Sequence, residues 1–81
     1  MARVSGQQDV EGHLRRLGEV IRAARKARGL SQEALADAAG IDRSHMGKIE
    51  RGERNITLLN LLKIAAALDG SASGLLGEAD L

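Results

Sequence analysis

From His13 onward the apolar positions of the chain recur every three to four residues. Leu14, Leu17, Ile21 and Ala24, with Val20 alongside, predict a first helix that Gly29 closes. At about 100° per residue, Arg15, Arg22 and Lys26 fall opposite that stripe and read as a solvated basic face. Ser31 is placed to cap a second, short helix with its hydroxyl, although Ala34 three residues on rules out a full capping box. Leu35, Ala36 and Ala39 form its inner face, and it ends at Gly40, where glycine takes a positive φ without steric cost. Asp42 caps a third helix that runs to about Arg51 and closes at Gly52. After a loop from Glu53 to Ile56, Thr57 caps a fourth helix, "LLNLLKIAAAL", with Leu58, Leu61, Leu62, Ala65 and Leu68 predicted along one face. Asp69 and Gly70 end it, and Ser71 caps a last short turn, "ASGLL". No run alternates β-branched residues, so the fold class is all-α, with five helices. Residues 1–12 lack periodicity and read as a flexible N-terminal tail ahead of one domain over 13–81.

Composition narrows the class. Eighty-one residues make one small domain with a single core. With no Phe, Tyr or Trp, that core is aliphatic, and no Pro interrupts the helices. Without Cys there is neither disulfide nor thiolate metal site. His13 and His45 stand apart, outside any His-x-x-x-His pair. No acid/base pair, activated nucleophile or phosphate loop is present, so neither enzyme activity nor a metal or other cofactor is expected. No apolar run nears the ~20 residues of a membrane span, and the first turns lack the hydrophobic centre of a signal peptide. A cytoplasmic protein without membrane contact is the expectation. Net charge is +1, but unevenly spread: residues 1–55 carry 11 Lys and Arg against 8 Asp and Glu, whereas residues 56–81 carry 1 against 3. The basic excess lies where an anion-binding surface would need it.

Two features ask for partners. The second and third helices are separated only by a glycine-centred turn, the helix-turn-helix layout. Five positions fit it: Ala36 where the helices come closest, Gly40 in the turn, Ile41 after it, and Met46 and Ile49 facing back. The polar face left between these apolar residues holds Arg43, Ser44, His45 and Lys48, and requires water or a ligand. The fourth helix is apolar nearly all round, with only Asn60 and Lys63 polar. Such a helix is normally buried on every side, yet little chain remains to cover Leu59 and Ala66. Leu75 and Leu76 add to that surface, and a self-complementary homodimer contact covers it most simply.

"LSQEALADAAGIDRSHMGKIERG" resembles the phage Cro/repressor-type helix-turn-helix domains of the XRE family, over roughly residues 14–76. "LGEVIRAAR" is similar to that family's first helix and "LLNLLKIAAAL" to its fourth. Where many members carry a proline after the recognition helix, "RGERNITLLNL" has Ile56, a variant similar to the controller proteins of restriction–modification systems. The resemblance implies a lambda-repressor-like fold whose third helix, about residues 42–51, enters the major groove of double-stranded DNA.

On that footing Arg43 is the strongest base-contact candidate, because a guanidinium can donate two bonds to guanine O6 and N7. Ser44 can donate or accept, and so discriminates less. His45 could meet a base or a phosphate, and Lys48 a phosphate or a flanking base. By resemblance Gln32, at the start of the second helix, binds phosphate and braces the recognition helix. Arg25, Arg51, Arg54, Asn55, Thr57 and Asn60 are further phosphate candidates, while Glu50 and Glu53 read as internal partners for neighbouring arginines. Gly47 fits either close packing or close approach to DNA. A homodimer would read a palindromic operator with half-sites ~34 Å apart, with no small-molecule effector implied. The alternative is an antitoxin that binds a toxin protein and regulates its own operon.

Overall fold

The computed structural model describes residues 9–81. Five helices follow in chain order: α1 (His13–Ala27), α2 (Gln32–Ala39), α3 (Arg43–Glu50), α4 (Leu58–Ala67) and α5 (Ala72–Glu78). Their starts are set by local chemistry. Ser31, Thr57 and Ser71 each accept the N–H three residues on, and Asp42 accepts those of Ser44 and His45. Each bond satisfies a donor that the first turn of a helix leaves orphaned. The α2–α3 turn depends on Gly40, in the left-handed region at φ 68°. There the Ile41 N–H reaches back to the Ala36 carbonyl at 2.8 Å, closing the helix end and aiming the chain into α3.

Packing organises these helices around Ile21, Leu35, Met46 and Ile64, all fully buried. α1 packs on α3 and α5, while α2 sits between α3 and α4. Leu17, Ala36, Ala39, Ile49, Leu61, Ala65, Leu68, Leu75 and Ala79 complete the aliphatic core.

Three expectations need correction. The inner face of α4 is Leu61, Ile64, Ala65 and Leu68, whereas Leu58 and Leu62 face outward with Leu59. An all-round apolar helix carries no periodicity to choose its face, and packing against α2 and α5 chooses it instead. α5 extends beyond "ASGLL" to Glu78 because buried Ala79 anchors its end, where the Ala79 carbonyl accepts a bond from Arg16 Nε at 3.1 Å. Asp9, within the stretch expected as tail, reaches the domain: its Oδ2 accepts the N–H groups of Leu14 and Arg15 at 3.0 and 3.2 Å, capping α1 where Gly12 has no side chain to do so. The rest of the expected tail, residues 1–8, lies outside the described residues.

Candidate nucleic-acid interface

The scaffold beneath α3 is a buried ion pair. Arg25 of α1 meets Glu50 at the end of α3 through two bonds, Nε to Oε2 at 2.8 Å and Nη2 to Oε1 at 3.1 Å. Gln32, in the first turn of α2, donates to the same carboxylate at 3.0 Å, and Arg25 Nη1 donates to the Leu30 carbonyl at 2.8 Å. Arg25 and Glu50 are only 8% and 4% exposed. One carboxylate thus ties three helices together, with its charge matched and its oxygens bonded, as burial of charge demands.

Arg25, expected to contact phosphate, is instead buried, with its guanidinium committed on both edges. Glu50 does pair internally, but with an arginine 25 residues away rather than with its neighbours. A sequence signal existed. Arg25 and Glu50 each stand four residues after a fully buried aliphatic, Ile21 and Met46, so opposite charges sit on two core-facing stripes.

A second constraint on α3 is Gly18, which sequence reasoning missed. A Cβ there would lie 2.5 Å from the Glu50 carbonyl oxygen and 2.6 Å from that of Ile49. α1 and α3 touch backbone to side chain-free backbone, which sets their separation.

Outward from this anchored face, α3 presents the predicted polar edge. Arg43 and Ser44 are exposed, and His45 and Lys48 half-buried. Together with Gln32, Asp42, Gly47 and Arg51, three of the four (Arg43, Ser44 and Lys48) line one open groove; His45 is not part of its lining. The Asp42 carboxyl is held below its ordinary value, chiefly by the Ser44 hydroxyl and then by the His45 N–H. It is ionised at neutral pH. Among the described residues Arg43 makes no ion pair, so its guanidinium is free to donate.

Gly47 has a specific surrounding: a Cβ there would sit 3.2 Å from Arg51 Nη1 and 3.4 Å from Gln32 Oε1. The two side chains lie across the space its missing side chain leaves. Arg51 turns its other edge to Glu53, with Nε to Oε2 at 2.7 Å, and this pairing lowers the Glu53 pKa and raises that of Arg51. Glu53 thus has the neighbouring arginine expected of it. Arg54 and Asn55 are exposed in the following loop. The Thr57 side chain accepts the Asn60 N–H at 3.1 Å at the start of α4. An outward helix edge with a free guanidinium, flanked by a glutamine at one helix start and polar groups at another, suits a ligand that carries both base edges and phosphates.

Residues 21–75, from α1 to α5, match the helix-turn-helix family HTH_3. The chain belongs to the helix-turn-helix family. Within it, the chain is 45% identical over 60 residues to the control protein C.SmaI of Serratia marcescens, covering 74% of this chain and 71% of that one. It is also similar to the crystal structure of the restriction-modification controller protein C.AhdI from Aeromonas hydrophila, with 50% identity and a TM-score of 0.75 over 76% of this chain and 94% of that chain. The structure of SinR, a master regulator for biofilm formation, in complex with DNA superposes with a TM-score of 0.70 and 38% identity, over 74% of this chain and 97% of that one.

In the helix-turn-helix frame α2 and α3 are the paired helices and α3 the one presented. The surfaces expected to meet a second copy divide. Leu59 is 68% exposed and Ala66 is exposed, joined by Leu58 and Leu62. Leu75, at 7% exposure, is core and leaves that surface, and Leu76 is partly buried against the core. The reason is the packing of α5 against α1 and α4, which takes Leu75 into the core.

Proposed function

We propose that this helix-turn-helix chain is a transcriptional regulator that binds palindromic operator DNA as a homodimer, in the manner of a restriction–modification controller. The observation that carries it is the groove on α3: Arg43, Ser44 and Lys48 line it, on a helix held from its buried side by Arg25, Glu50 and Gly18. Arg43, Ser44 and His45 meet base edges and Lys48 a base or phosphate. Gln32, Arg51, Arg54, Asn55, Thr57 and Asn60 flank them as phosphate contacts, which position the helix and supply most of the affinity. The relatives support this over the antitoxin alternative, since those named here are controllers or regulators.

The outward strip of α4, Leu58, Leu59, Leu62 and Ala66, packs on its own copy about a two-fold axis. No helix among the described residues is long and apolar enough to cross a membrane, in keeping with a regulator that works in the cytoplasm. Selection from a random duplex pool, with sedimentation of the complex, tests the reading. Enrichment of a palindrome bound by two chains is expected; equal binding to every duplex, or none at low salt, would overturn it.

A further inference from the structure

A serine hydroxyl in the major groove is ordinarily ambiguous, since it donates to a keto oxygen as readily as it accepts from an amine. Here that freedom is removed. Ser44 Oγ donates to Asp42 Oδ2 at 2.5 Å, and the same oxygen accepts the N–H groups of Ser44 and His45 at 3.1 and 3.3 Å. Asp42 is the N-cap of α3, so its position is set by the helix and not by the serine. The one hydroxyl hydrogen therefore points along the protein surface into a carboxylate. What Ser44 shows the groove is lone pairs, and among the described residues no donor is aimed at them.

We infer that Ser44 reads DNA as an acceptor only, selecting a base that offers an exocyclic amine in the major groove, cytosine N4 or adenine N6, over guanine and thymine. This rests on the DNA-binding reading above and sharpens it. Guanine presents O6 and N7 there, and thymine O4, all acceptors. To donate to any of them, Ser44 would have to break its bond to a charged partner, which is stronger than the bond gained. An Asp42 carboxylate beside the serine adds a like-signed repulsion against keto oxygens and an attraction for amines. Arg43, next along the chain, has the opposite character, donor only. The tip of α3 thus alternates donor and acceptor, and the complementary step pairs guanine with a neighbouring amine-bearing base.

The test is selection of bound duplexes by the full chain and by Ser44→Ala, Ser44→Thr and Asp42→Gly. Glycine caps a helix only slightly less well than aspartate, and circular dichroism checks that helix content is kept. For the wild type, one position per half-site is expected to hold cytosine or adenine. Ser44→Ala should lose that preference and no other, Ser44→Thr should keep it, and Asp42→Gly should admit guanine or thymine. In the wild-type site, replacing the selected base by its analogue without the amine (2-pyrimidinone for cytosine, purine for adenine) should weaken binding about three- to tenfold, the worth of one hydrogen bond. Ser44→Ala should bind both duplexes alike. A guanine or thymine at the position that Ser44→Ala erases would overturn the inference, as would unchanged selection by Ser44→Ala. A wild-type chain that enriches no sequence would overturn the DNA-binding reading itself and the inference with it.

Discussion

Arg25 and Glu50 lie 25 residues apart in the chain and 2.8 Å apart in the fold, with almost no water around either. Removing one partner leaves the other charged and buried. Glu50→Ala or Arg25→Ala should each cost about 3–5 kcal/mol of stability, read by urea unfolding. The paired replacement Arg25→Met with Glu50→Leu should recover much of that loss, because it removes both charges. If the double variant is as unstable as the sum of its parts, the two side chains do not act as a pair.

Two glycines should respond in opposite directions. Gly18→Ala drives a methyl into the backbone carbonyls of α3 and is expected to lower stability by about 1–3 kcal/mol, the usual cost of overpacking. Gly47→Ala meets only the ends of Arg51 and Gln32, which can move, and gains up to about 1 kcal/mol of helix propensity. Thermal unfolding separates them, and equal destabilisation by both would contradict the close α1–α3 approach.

Base and phosphate contacts leave different traces. Arg43→Ala should cost ~1–3 kcal/mol of operator binding and relax the preference at one position per half-site. Arg54→Ala should weaken binding to all sequences and reduce the slope of affinity against salt by about one. Binding titrations over a salt series distinguish the two, and an exchange of these signatures would reverse the assignments.

Leu59→Asp should shift sedimentation toward monomer while leaving the fold intact, since that side chain is already 68% exposed. Leu75→Asp should unfold the chain, because its site is core. A stable dimer of Leu59→Asp would move the contact elsewhere.

Asp42 gives α3 a pH dependence of known sign. Its folded pKa is depressed below the ordinary 3.8, so the stability it confers is present above that value and lost as pH falls through the depressed one. Acid titration below pH ~4 should fray the first turn of α3, followed through the Ser44 and His45 amide resonances. Asp42→Asn caps without titrating and should remove that step.

The parts of the fold legible in the sequence are those decided within one turn of helix. Ser31, Asp42, Thr57 and Ser71 each cap through a bond to a residue two or three positions on, and all four were predicted. Gly40 likewise needs only its own backbone. What stayed hidden depends on distance. The outward face of α4 is chosen by helices that pack on it, and Leu58 and Leu62 carry no mark that sets them apart from Leu61. Gly18 signals nothing because its role is to lack a side chain. Ser44 looked ambivalent because the orientation of a hydroxyl is settled by its neighbour in space, not by its type.

α3 divides its labour with little overlap. Met46, Ile49 and Glu50 turn inward, while Arg43 and Ser44 are exposed. New operator preferences can therefore arise by exchanging outward letters alone, without rebuilding what holds them. Such a chain is well suited to drift between targets over generations, since the changes that redirect it are not the changes that endanger its survival as a folded protein.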